Sequence, residues 1–155
     1  MKLNSPAFHD QGAMPRRHTC EGEDVSPALS IDGVPAGTKS LALIVDDPDA
    51  PDPAAPKMTW VHWVLYDLPP ATTALPEGAG AAALHALEGI NDWKQTGYRG
   101  PCPPIGRHRY FFKLFALDRR MNDLHQPTSA ELQRRIKEHV IEQATLVGTY
   151  EKGRG

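Results

Sequence analysis

A chain of 155 residues is long enough for one domain with a single well-buried core. Its 17 basic and 19 acidic side chains leave a formal charge of -2, which offers no general attraction for nucleic acid, and no apolar run approaches the length of a membrane span. Cys20 and Cys102 are too few for a disulfide framework and lack CxxC spacing, so with no secretory leader in view they read as reduced thiols of a soluble, cytoplasmic protein.

Residues 4–24 are polar and loop-like, with Arg16, Arg17 and His18 as a small basic cluster that reads as solvated surface. Residues 26–33 alternate apolar and polar side chains before Gly33, the pattern of a half-exposed strand. The organising stretch comes next. Residues 40–45 are a short apolar run cut off by Asp46-Asp47-Pro48-Asp49-Ala50-Pro51, which predicts a buried strand delivering three carboxylates at its end. Like charges at that range raise one another's pKa and call for a cation, a proton or hydrogen-bond donors nearby. The returning run, residues 59–66, places Trp60, His62, Val64 and Tyr66 on one face and Val61, Trp63 and Leu65 on the other. Both faces are apolar, so this strand should be central and covered on both sides. His62 is the first candidate partner for the carboxylates, and if buried it needs a hydrogen-bond partner of its own.

Residues 69–84 form a connection rich in Pro, Ala and Gly, residues 79–87 read as loop or weak helix, and residues 88–96 as a turn carrying Trp93 as an anchoring aromatic. Residues 97–106 make a second rigid Pro/Gly loop, containing Cys102, Pro103 and Pro104, with His108 at its mouth. In the strand that follows, residues 109–117, Tyr110, Phe112 and Leu114 share the face of His108, while Phe111, Phe115 and Leu117 lie opposite with Arg109 and Lys113. Two stiff loops beside two doubly apolar strands outline a pocket. Thr128-Ser129-Ala130-Glu131 fits a capping box, and Leu132, Ile136, Val140 and Ala144 recur at i, i+4 spacing, which predicts one helix over residues 129–143. Residues 145–150 read as a final short strand, and residues 151–155 should fray. Doubly apolar strands against a single amphipathic helix predict a mainly β protein, a sandwich of antiparallel sheets.

Three of these stretches, in this order, resemble the phosphatidylethanolamine-binding protein family in its bacterial and archaeal, Raf-kinase-inhibitor-like form. They are Asp47-Pro48-Asp49-Ala50-Pro51, Trp60-Val61-His62-Trp63, and Gly100-Pro101-Cys102-Pro103-Pro104-Ile105-Gly106-Arg107-His108-Arg109-Tyr110, with softer agreement over residues 20–27, 33–38 and 146–150. The resemblance covers nearly the whole chain. It implies one domain over residues 1–155, a β-sandwich of antiparallel sheets with one substantial helix near the C-terminus, and a small anion pocket near the sheet edge. The family's pocket positions fall on Asp47, His62, Pro103 or Pro104, His108 and Tyr110, with Trp60 as a wall. The loop between Pro104 and His108 is shorter than in eukaryotic members, and the chain ends at a strand without the long C-terminal helix of mammalian members. Lipid binding and kinase inhibition therefore do not carry over.

Two imidazoles and a phenol can donate to phosphate or carboxylate oxygens, through charge-assisted bonds of about 1.5–3 kcal/mol each. Asp47, bonded to a histidine, would favour imidazolium, and proline walls lower the ordering cost of binding. The expected function is a non-catalytic ligand-binding or regulatory module for a small phosphate-like or carboxylate ligand, without metal or cofactor, binding less tightly as pH rises through the histidine pKa values. Two other classes compete with it. Asp46, Asp47, Asp49, His62 and His108 could serve a metal-dependent phosphoester hydrolase, although metal-binding spacings such as HExxH are absent. A protein-interaction module, of kinase- or protease-inhibitor-like type, is the third class compatible with the family. A homodimer is expected from bacterial relatives and from Trp and Pro-rich loops that could form an exposed patch. Cys20 and Cys102 should lie close together at the pocket rim, reduced.

Overall fold

The apolar runs become long strands, and the computed structural model, which describes residues 1–153, arranges them in two packed sheets. Strands β1 (Lys2–Asn4) and β2 (Gly12–Ala13) precede a 3-10 turn at Arg16–His18, followed by β3 (Leu29–Asp32), β4 (Ser40–Ala50) and β5 (Met58–Leu68). Two short strands, β6 (Ala74–Leu75) and β7 (Leu87–Glu88), lead to β8 (Arg107–Leu117), helix α1 (Ser129–Ile136) and β9 (Val140–Glu151). The smaller sheet has the order β1-β3-β6 and the larger β2-β9-β8-β4-β5-β7, with two-residue strands at both outer edges. Every pairing is antiparallel except that of β2 with β9.

Side-chain alternation makes the two cores. Leu41, Leu43 and Val45 of β4, Trp63 and Leu65 of β5, and Tyr110, Phe112 and Leu114 of β8 pack toward the small sheet, against Leu3, Leu29 and Ile31. Ala42 and Ile44, Val64 and Tyr66, and Phe115 and Leu117 point the other way and are covered by Leu132 and Ile136 of α1. The mainly β sandwich with a single helix near the C-terminus is therefore the fold of this chain.

Four expectations are corrected. Helix α1 begins as predicted, with the Thr128 hydroxyl accepting from the Glu131 amide and the Glu131 carboxylate accepting from the Thr128 amide, but it stops at Ile136 rather than at residue 143. Val140 and Ala144 continue the helical spacing, yet the ladder from Leu117↔Val140 to Arg107↔Glu151 claims them for β9, and pairing overrides a local pattern. The final strand is twelve residues rather than a short tail. In β5 the pairs Val45↔Trp63 and Asp46↔Val61 leave His62 as an extra residue. This β-bulge places His62 and Trp63 on the same side, with Val61, Val64 and Tyr66 opposite, where simple alternation separates them. The Arg16–His18 cluster is not simply solvated: His18 is buried, its Nδ1 bonded to the Val25 carbonyl oxygen. Of the tail expected to fray, Glu151 closes β9, while Arg154 and Gly155 lie outside the described residues.

Candidate functional site

Strand β4 runs its carboxylates alongside the start of β8, and β8 supplies a basic side chain for each. Lys113 Nζ lies 2.6 Å from Asp46 on the helix-covered face, and His108 Nδ1 lies 2.6 Å from Asp47 Oδ2 on the opposite face. Asp49 accepts from the Arg109 amide at 2.9 Å and from its guanidinium at 2.8 and 3.0 Å. The compensation predicted for the cluster is thus present, but it comes from β8 and not from His62. Burial raises the carboxyl pKa of Asp46 and of Asp47, against the pull of Lys113 and His108. The hydrogen bonds from Arg109 hold Asp49 below the ordinary value.

A cavity of about 430 Å³ opens at this end of the sheet. All seven residues singled out from the sequence line it: Asp47, Trp60, His62, Pro103, Pro104, His108 and Tyr110. Ala50, Pro51, Met58, Trp93 and Cys102 complete the wall. Trp93 is placed by a knot of local bonds. Asn91 accepts from the amides of Trp93 and Gln95 and donates to the Gly97 carbonyl, while Asp92 accepts from the Val61 amide of β5. The Trp93 ring then stands edge-on to His62 at 5.0 Å and to Trp60 at 5.6 Å, with the Arg99 guanidinium over it.

Two of the three expected donors have other roles. His108 faces Asp47 with Nδ1 and the Ile105 carbonyl oxygen, at 2.8 Å, with Nε2. Both partners accept, so the pair satisfies them only by holding two protons, as imidazolium with carboxylate or as imidazole with carboxylic acid. Either form is neutral overall and leaves no N–H for a ligand. His62 donates Nδ1–H to the Arg99 carbonyl at 2.7 Å, which leaves Nε2 with its lone pair. Burial lowers the His62 pKa to about 4, outweighing the carbonyls of Arg99 and Gly100 that favour the cation. The Tyr110 hydroxyl has no protein partner among the described residues, and burial raises its pKa, so it stays a donor. No sealed polar side-chain atom lacks a partner among those residues. His62 Nε2 and Tyr110 Oη, on buried residues that line the cavity, are therefore two polar atoms without a hydrogen-bond partner among the described residues.

The second loop is stitched to residues 18–24. The Cys20 amide donates to the Pro101 carbonyl at 3.1 Å, the Gly100 amide to Asp24 at 2.8 Å, and the Tyr98 hydroxyl to the His18 carbonyl at 2.7 Å. Cys20 and Cys102 are bonded as a disulfide, which corrects their expected reduced state. Their Cα atoms lie 5.4 Å apart across a separation of 82 residues, a proximity that only the tertiary fold creates.

A family model described as phosphatidylethanolamine-binding protein matches residues 4–151. A UPF0098 protein of Methanothermobacter thermautotrophicus is 48% identical over 157 residues, covering 99% of this chain and 100% of that protein. Among solved structures, a putative phosphatidylethanolamine-binding protein homologue from Chlamydia trachomatis superposes with a TM-score of 0.90 at 40% identity, and YbcL of E. coli, described as a member of the mammalian family, with 0.85 at 32%. Each covers 97% of both chains. With the family model spanning nearly its whole length, the chain belongs to the phosphatidylethanolamine-binding protein family.

Proposed function

We propose that the protein is a non-catalytic binding module that takes a small acidic ligand, phosphate-like or carboxylate, into the cavity beside β4, β5 and β8. One observation carries the reading: two polar atoms on buried residues, His62 Nε2 and Tyr110 Oη, stand open in a pocket otherwise walled by Trp60, Trp93, Pro51, Pro103 and Pro104. A few polar atoms at the base of a largely apolar cavity fix a ligand's polar head while the walls take its remainder. The hydrolase alternative is less well supported, because Asp46, Asp47 and Asp49 are each already engaged by a side chain of β8. Exposed Met58 and Ile105 near the cavity mouth suit the expected homodimer, which light scattering at micromolar concentration tests by its mass. No helix among the described residues is long and apolar enough to cross a membrane. The Cys20–Cys102 bridge suits an oxidising setting better than the reducing cytoplasm expected from the sequence.

Calorimetric titration with phenyl phosphate and benzoate tests the site. Tyr110→Phe should weaken binding by about tenfold, the worth of one charge-assisted bond, and Arg134→Ala on the exposed helix face should change nothing. Equal affinity in wild type and in a His62→Leu/Tyr110→Phe double variant places any bound anion elsewhere and ends the proposal.

A further inference from the structure

The two open atoms of the cavity differ in kind, and that difference bears on the protonation of whatever binds there; the inference rests on the ligand site just proposed. We propose that the pocket takes its ligand together with one proton, a phosphomonoester entering as the monoanion whose P–OH donates to His62 Nε2 while a charged oxygen accepts from Tyr110 Oη.

The basic side chains grouped around the cavity are committed to other partners. His108 has one nitrogen on Asp47 and the other on the Ile105 carbonyl. Arg109 is held by Asp49, and Lys113 lies on the helix-covered face with Asp46. Arg99 caps the outer face of Trp93 and bonds Gln95. The Asp47–His108 pair brings no net charge to the cavity. The half-buried indoles of Trp60 and Trp93 add neutral donors only. His62 therefore decides the outcome. Its Nδ1 faces a carbonyl oxygen, which can only accept, so the ring proton sits there and a lone pair points from Nε2. A fully ionised phosphate would set its charge against that lone pair; a ligand O–H turns the contact into a hydrogen bond.

The groups that face His62 reinforce this. Asp47 from β4 and His108 from β8 are locked in their neutral pair, Tyr110 from β8 is edge-on at 5.2 Å, and Arg99 approaches through its backbone. The Asp92 carboxylate is occupied by the Val61 amide. Burial keeps the imidazole neutral down to about pH 4, so at neutral pH the proton must arrive with the ligand.

The sign of the pH dependence follows from linkage. The monoanion fraction falls as pH rises through the ligand's second pKa, about 6 for a phosphomonoester, so affinity should fall tenfold per pH unit above it. The midpoint belongs to the ligand, not to a histidine. The test is calorimetric titration of wild-type protein from pH 4.5 to 8.5 with phenyl phosphate, phenylphosphonate, whose second pKa is higher, and phenyl sulfate, which has the same shape and no proton. The expected result is a phosphonate curve displaced to higher pH by the difference in the ligands' pKa values, with phenyl sulfate bound on the order of tenfold or more weakly at pH 6 because a buried acceptor stays unpaired. His62→Gln, which presents an amide N–H as well as an acceptor, should bring the phosphate-to-sulfate ratio close to one, with its melting temperature checking the fold. A common midpoint for phosphate and phosphonate, or sulfate bound as tightly as phosphate, overturns the inference and leaves the anion site standing. Absence of binding by all three ligands overturns both.

Discussion

Replacing Cys20 and Cys102 together by serine should lower the melting temperature by a margin that loop length sets. The bridge spans 82 residues, and closing a loop of that length in the unfolded chain removes conformational entropy worth about 4.5 kcal/mol at 25 °C. Unfolding entropy near 60 °C, at roughly 2.1 cal/mol/K per residue, amounts to about 0.33 kcal/mol/K for this chain, so the loss should appear as a fall of about 14 °C. Differential scanning calorimetry of wild type, of Cys20→Ser/Cys102→Ser and of wild type reduced by dithiothreitol makes the measurement, with thiol titration in denaturant confirming each redox state. Ligand affinity should fall less than tenfold, because the Gly100–Asp24 and Tyr98–His18 bonds continue to hold the loop. A fall below about 4 °C in both reduced and substituted protein would refute the reasoning that the bridge acts mainly on the unfolded chain.

Ile136→Ala should cost about 2–5 kcal/mol in denaturant melts, because the side chain is 2% exposed under α1; Val140→Ala, at a position 38% exposed in β9, should cost less than about 1 kcal/mol. Equal costs would restore the longer helix. Arg109 lowers the Asp49 pKa below 3.8, so the stability this pair contributes is present above that ordinary value and is lost as pH falls through the lowered one. Acid titration by circular dichroism should therefore find Asp49→Asn less stable than wild type at pH 7 and progressively closer to it as pH falls below 3.8. A methyl group added at Gly100 would lie 2.1 Å from the His18 carbonyl oxygen, so Gly100→Ala should destabilise the fold by about 1–3 kcal/mol, whereas Gly80→Ala, with open space, should change it little. Matching melting temperatures for the two would show that residues 18–24 yield easily.

Much of this architecture is written in periodicity, which is a local property. The runs around Val45, Trp63 and Phe112 are apolar over enough residues to fix three buried strands, and the capping box at Thr128 fixes where the helix starts. Its end is not local, since Val140 suits a helix face as well as a strand and only the neighbouring β8 decides. The bulge at His62 is equally hidden, because it exists only in the register against Asp46 and Val45. In the cavity, the side chains were legible through their motifs, whereas the direction of each hydrogen bond was not. That His62 faces Arg99 and His108 faces Ile105 depends on backbone carbonyls, which every residue carries and no sequence pattern marks. Of the two cysteines, the meeting was legible because each flanks a pocket motif, whereas their oxidation was not, since it depends on the redox setting and on bonding geometry that a separation of 82 residues does not encode.

The two-residue strands that bound the larger sheet have a consequence for solubility. Four inner strands of eleven or twelve residues would offer a ready template for another chain if either outer rim lay bare. At one rim β7 is too short to extend a ladder. At the other, beside the two residues of β2, the Asp10 carboxylate takes the Val147 amide and the Gln11 amide takes the Val147 carbonyl, so the backbone of β9 is already spent there. The segment over residues 9–14 thus covers the rim of β9 at residues 147–149, where an open edge would invite another strand.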